Sequence, residues 1–196
     1  GRIAEEYGLF HWELAFPHVF AKGGFDVVLG NPPWEHVELK EQEFFAKRDP
    51  SIAEAQNAAI RKDLIAALPA TNLGLWAEWQ LAKRRAQGEM HFARASGRFP
   101  LCARGRINTY PLFAEHNWRI IAPRGRAGFI VPSGIATDDN TKDYFRAIAS
   151  SGALHSLWEF ENEGFFTAGK GHMLRFALTT LAGREDPASA ADFFFQ

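Results

Sequence analysis

Phe25-Asp26-Val27-Val28-Leu29-Gly30-Asn31-Pro32-Pro33-Trp34 reads as a short strand that stops at a stiff corner. An apolar run from Phe25 to Leu29, closed by breakers, is the pattern of a parallel strand covered on both faces. Each proline fixes its own φ and lacks an N–H, and the residue before a proline is pushed out of the helical region. The chain must therefore leave the sheet as an extended elbow with Asn31 and Trp34 at its mouth. A carboxamide offers two donors and an acceptor, and an indole offers a flat face. That pair suits a planar heterocycle: one reads its edge, the other stacks on its ring. The same residues also suit a plain strand end followed by a proline turn.

The rest of the chain sets a frame for this corner. A chain of 196 residues with 46% apolar content can bury one sizeable core. One cysteine, Cys102, excludes an internal disulfide framework and a cysteine-rich zinc site. His11 and His18 are separated by Pro17 and have no second ligand pair, so no metal site is expected. Nothing reads as a signal peptide or a membrane span, and the expected setting is the cytoplasm. The net charge is −1, yet the stretch from Lys83 to Arg126 holds ten Lys and Arg against Glu89 and Glu115, a balance of +8. Lys83, Arg84 and Arg85, with Lys170 further on, are candidates for phosphate contact; a solvated basic face explains them equally well.

Around the elbow, aromatic residues from Phe10 to Phe20 suggest a segment along the domain edge, broken at Pro17. From 38 to 98 the composition turns to helix formers, which reads as a helical insertion. Asp49-Pro50-Ser51 starts one of its helices, running through Ile52 to Leu68, and Pro69 to Gly74 ends it. Ile107 to Ile121 reads as a helix burying Tyr110, Phe113, Trp118 and Ile121, with Pro123-Arg124-Gly125-Arg126 as the turn out of it. Strands follow at Ala127–Pro132, Leu154–Phe160 and Met173–Leu181, with a helix capped by Asp138 or Asp139 from Thr141 to Ser150. Strands alternating with helices argue for a doubly wound α/β sheet, whose ligands sit beyond the carboxyl ends of the strands.

Asn31-Pro32-Pro33-Trp34 after such a strand resembles the catalytic motif of amino-methyltransferases that use S-adenosylmethionine. The order of motifs narrows this. The Phe10–Phe20 lead-in, the Gly-Gly-Phe-Asp-Val-Val elbow, Ile107-Asn108-Thr109-Tyr110, the Gly128–Asp138 strand and loop, Phe160-Glu161-Asn162 and Arg175–Leu178 together resemble the Eco57I-type N6-adenine DNA methyltransferases. These belong to restriction-modification and phage-defence systems. The resemblance implies a partial Rossmann-like class I methyltransferase, an α/β three-layer sandwich represented by strands 4 to 7 and flanking helices. It implies that the Asn31 side chain and the Pro32 carbonyl accept the target NH2, that Pro33 stiffens the corner, and that Trp34 stacks on a base flipped from double-stranded DNA. Phe165 or Phe166, the latter favoured, would grip the other face of that base; as core residues they are explained equally well.

The family builds its cofactor pocket from a glycine-rich turn after the first strand and an acid after the second, and neither is found here. Asn31 would touch S-adenosylmethionine only in part. The expectation is a catalytic-domain fragment from 1 to 196, inactive alone, with the cofactor half, the target-recognition domain and any restriction or defence subunits outside it. Two other readings use the same elbow or none of its chemistry: methylation of a protein glutamine or of RNA, and an inactive DNA-binding piece of a defence complex.

Overall fold

The computed structural model describes residues 8, 10–164 and 175–196. In chain order it gives helices α1 (Trp12–Ala15) and α2 (Pro17–Phe20), strand β1 (Phe25–Gly30), and helices α3 (Glu41–Phe45), α4 (Pro50–Ala53), α5 (Ala58–Thr71) and α6 (Leu73–Ala95). Then come α7 (Thr109–Ile120), β2 (Ile121–Pro132), α8 (Gly134–Thr137), a 3-10 turn, α9 (Lys142–Ser150), β3 (Leu154–Phe160), β4 (Phe176–Ala182) and β5 (Asp192–Phe195). The chain divides into two compact units, 1–36 with 93–196, and 37–92.

The larger unit is built on a five-stranded sheet ordered β1-β2-β4-β3-β5. β1 lies parallel to β2, and β4 is antiparallel to both β2 and β3. The carboxyl ends of β1, β2 and β3 therefore share one rim with the start of β4. Strand residues alternate between faces. Ala127, Phe129, Val131, Ala177, Leu181 and Leu157 point to one face, where Tyr110 and Ala114 of α7, Ile135 of α8, and Tyr144 and Ile148 of α9 complete a buried core. This is the sheet and one helical layer of a Rossmann-like α/β fold.

The opposite face carries no helix among the described residues. Val27 is 60% exposed and Leu29 78% exposed, so β1 is not covered on both faces as its composition implies. It is an edge strand backed on one side only. Across this face Leu29 aligns with Gly128, Thr180 and Ser156, and Ile130 with Leu178, Trp158 and Phe194. A shallow cavity of ≈360 Å³ opens there, lined by Leu29, Gly128, Ile130, Leu178 and Thr180 among others.

Several sequence expectations shift at their edges. Pro123 to Arg126 is not a turn but the first half of β2, and its pairing to β1 jumps from Phe25↔Ile121 to Val27↔Arg126. That irregularity accommodates Pro123, which cannot donate to a regular ladder. Gly125 makes it possible: a Cβ there would stand 2.6 Å from the Phe25 carbonyl oxygen. Phe113 is exposed, because the buried face of α7 runs through Tyr110, Ala114 and Asn117. Neither Asp138 nor Asp139 caps α9; Asp139 pairs with Lys142 instead, at 2.7 Å. At the amino end Pro17 breaks the helix as expected and opens the next one, while Trp12, Phe16 and Phe20 set their rings around Phe25 at 5.5–5.7 Å.

The unit 37–92 buries its own small core of Phe45, Ile52, Ile65, Leu68, Leu75 and Trp79, with Leu39 and Phe44 packed against it. Asp49 caps α4 through the Ser51 N–H at 3.1 Å, but that helix lasts four residues. Asn57 starts a second helix by accepting from Ala59 and Ile60 N–H, at 2.9 and 3.0 Å. Pro69 sits inside α5 without ending it, in the final turn where little of the helical ladder remains to be lost.

Candidate active site

After Gly30 the chain leaves the sheet without regular structure until it meets residue 108. There His36 and Asn108 form an antiparallel bridge, and Asn108 also caps α7 by accepting from Tyr110 N–H at 3.3 Å. The Thr109 hydroxyl donates to the Pro33 carbonyl at 2.6 Å and accepts from the Glu35 N–H at 3.1 Å. The Thr109 N–H returns a bond to the Glu35 carbonyl at 2.8 Å. The corner is thus set by two prolines on one side and the start of α7 on the other.

Asn31 is exposed and Pro32 is buried beneath it. Among the described residues, no hydrogen bond engages the Asn31 carboxamide or the Pro32 carbonyl. Two acceptors therefore stand uncommitted at the end of β1. Trp34 is half-buried against the main core, and its indole N–H donates to the Ile130 carbonyl of β2 at 3.3 Å. The ring that reads from sequence as a free stacking face is tethered at its nitrogen.

The same rim carries Ser133 at the end of β2, whose N–H bonds the Arg175 carbonyl at 3.0 Å and whose hydroxyl is buried without a hydrogen-bond partner in the structure. Arg175 spans the buried Glu159 and the exposed Glu161, at 2.8 Å each. Behind the loop, the Tyr110 hydroxyl faces Asp138 at 3.5 Å. Burial, then the Asp138 charge, pushes that phenol up, so it stays protonated and donates. Glu115 of α7 is 2% exposed and accepts from the Leu101 and Cys102 N–H groups at 3.2 and 2.9 Å. Burial pushes its carboxyl up, and those two donors partly oppose the shift.

Phe165, Phe166 and Lys170 lie outside the described residues. Lys83, Arg84 and Arg85 are exposed on α6, in the unit 37–92, and Arg85 pairs with Glu89 at 3.1 Å. Further along the basic stretch, Arg94 bonds the Gly105 carbonyl, Arg104 pairs with Asp143, and Arg119 bonds the Arg98 carbonyl. Arg104 thus has an acidic partner, while Arg94 and Arg119 are held by carbonyls that leave their charge in place. No described group of acidic, His or Cys side chains could hold a metal ion, and no described helix is long and apolar enough to cross a membrane.

A family model described as Eco57I restriction-modification methylase matches residues 2–65, the stretch that contains the elbow. The first third of the chain is Eco57I-like. No curated protein matches the chain. Among solved structures it is similar to a candidate class I S-adenosylmethionine-dependent methyltransferase of Listeria monocytogenes, with 19% identity over 51% of this chain and 31% of that one, TM-score 0.41. It is also similar to LlaBIII, an ATP-dependent Type ISP restriction-modification enzyme bound to DNA, with 12% identity over 86% and 10%, TM-score 0.40. A third is DrdV in complex with DNA, with 10% identity over 87% and 14%, TM-score 0.42. The chain spans less than a third of each. Thr109, Ser133 and Arg175 lie beyond the Eco57I-like stretch.

The described residues do not make a pocket for S-adenosylmethionine by themselves. The outer edge of β1 has no neighbouring strand among them, and the cavity on the open face is lined by apolar and threonine side chains without a carboxylate for ribose hydroxyls. What the corner does supply is two hydrogen-bond acceptors at the end of β1 with no partner among the described residues.

Proposed function

We propose that this chain carries the amine-binding part of the catalytic domain of a restriction-modification DNA methyltransferase acting on the N6 amine of adenine. The observation that carries the reading is the pair of uncommitted acceptors, the Asn31 carboxamide oxygen and the Pro32 carbonyl, on a corner braced by Pro33, Trp34 and Thr109. An exocyclic amine is a poor nucleophile while its lone pair is delocalised into the ring. Two acceptors on its hydrogens pull it toward a tetrahedral geometry and localise that pair, without metal or strong base. Asn31 is neutral, which suits a nitrogen that turns transiently cationic and then releases its proton to water. S-adenosylmethionine supplies the methyl group in such a reaction; its pocket belongs to a part of the domain beyond these residues.

Among the described residues, the uncovered apolar face of the sheet and the unpaired outer edge of β1 support that division. A further half-sheet with its own helices completes the domain in the whole protein, and the helical stretch 38–98 is an insertion within it. Base flipping from double-stranded DNA costs a few kcal/mol, part of which stacking on Trp34 offsets at ~1–3 kcal/mol per base.

In the whole protein, Asn31→Ala lowers methyl transfer to duplex DNA by roughly 10²–10³-fold and leaves calorimetric binding of S-adenosylmethionine largely intact. Nucleoside chromatography of the product shows N6-methyladenine. Full turnover by the variant removes Asn31 from the reaction, and N4-methylcytosine in the product overturns the choice of base.

A further inference from the structure

The elbow's two prolines fix φ at residues 32 and 33, and Pro33 confines ψ at Pro32, but they leave free the angles beyond, ψ of Pro33 and φ of Trp34, that aim the Pro33 carbonyl and carry the indole. Something else has to set them. One hydroxyl touches both peptide groups that flank Trp34: Thr109 donates to the Pro33 carbonyl at 2.6 Å and accepts from the Glu35 N–H at 3.1 Å. The Thr109 N–H holds the Glu35 carbonyl from the same side, at 2.8 Å. Thr109 is the first residue of α7, whose register is fixed by the Asn108 cap and the buried Tyr110. Its branched Cβ keeps χ1 stiff, so the hydroxyl is presented in one place. Beyond the corner, the indole N–H is tied to β2 at Ile130.

We propose that Thr109 is a positioning residue for the elbow, transmitting the register of α7 to the Pro33 peptide and to the plane of Trp34. Resting on the reading of the elbow as the amine-binding corner, this assigns to α7 the aim of the stacking ring and of the Pro33 peptide that follows the acceptor carbonyl. The hydroxyl is half-buried and its two partners are exposed, so water replaces it readily. Its loss costs the corner its direction more than the fold its stability.

The test compares Thr109→Val, which keeps the shape and removes the hydroxyl, with Thr109→Ser, which keeps the hydroxyl. In the 196-residue chain labelled with ¹⁵N, the Trp34 indole resonance is assigned by its disappearance in Trp34→Phe. Thr109→Val is expected to move that resonance and to speed exchange of its proton about tenfold, with the other indole signals unmoved; Thr109→Ser restores both. An unmoved Trp34 signal in Thr109→Val, or an equal change in Thr109→Ser, overturns the proposal. In the whole protein Thr109→Val is expected to lower kcat roughly tenfold at unchanged KM for DNA, since a small misplacement at a reacting centre weighs on the rate. Unchanged kcat with a displaced indole overturns the positioning role while leaving the methylation reading to stand or fall with Asn31→Ala.

Discussion

The two faces of the sheet have nearly the same composition and opposite fates. On one face Phe129, Val131, Ala177 and Leu181 are sealed under three helices; on the other Val27, Leu29 and Trp158 meet solvent. Alternation guarantees that a strand written Phe-Asp-Val-Val-Leu-Gly puts apolar side chains on both sides. Only covering helices decide which of them count as core. Composition therefore states what a strand can bury, and its neighbours decide what it does bury.

That contrast yields graded tests on the isolated chain. The largest effect belongs to the sealed face. Leu181 is fully buried on β4, opposite Ala127 and Leu154, and Leu181→Ala is expected to cost about 2–5 kcal/mol in chemical denaturation. A loss under about 1 kcal/mol would erase the distinction between the faces.

A smaller effect reports the polar lining behind the sealed face. Burial raises the Glu115 carboxyl above its ordinary value of 4.5. The folded state thus holds its proton more tightly than the unfolded chain does. The stability this gives is fully present below about 4.5 and is lost as pH rises through the raised folded value. His116 acts in the opposite sense: burial, then Arg98, lowers its imidazole, so its contribution is lost as pH falls below 6.5 toward the folded value. Only a difference between two proteins isolates Glu115. Relative to Glu115→Gln, the parent chain should lose melting temperature progressively as pH rises from 4.5 to 7. Parallel melting curves across that range would show that burial does not hold this proton.

The smallest effect is expected on the open face. Leu29→Thr, at a residue 78% exposed, should change stability by no more than about 0.5 kcal/mol and reduce binding of a hydrophobic dye. A loss comparable to Leu181→Ala would mean that this face is covered after all.

The corner itself was legible because proline leaves so little choice, and β3 was legible because Leu154, Leu157, Trp158 and Phe160 fall between the turns at Gly152 and Gly164. Other features were hidden for physical reasons. Pro123-Arg124-Gly125-Arg126 has the chemistry of a turn, yet close backbone approach at Gly125 lets it run as an irregular strand. Phe113 looked buried by its type, while the helix face chosen by Tyr110 and Ala114 turned it outward. Glu115 entered the sequence reading only as a charge in the basic stretch; it is buried because two loop N–H groups need an acceptor, a demand set by residues thirteen and fourteen positions away. Thr109 left two traces, its place after an Asn at the start of a helix and its membership of the Ile107–Tyr110 motif, and neither points to Pro33. Its link to Pro33 spans 76 residues, and no local pattern encodes that.

β4 sits in the middle of the sheet although it is among the last strands in the chain. Arg126 at one edge of its ladder must find Ala182, so the central pairing closes only after residues 176–182 have been made. During synthesis, β1 and β2 can pair with each other but have no link to β3 until this late wedge arrives. Contacts so distant in sequence form slowly. The nascent chain therefore carries its proline corner well before the sheet behind that corner is closed.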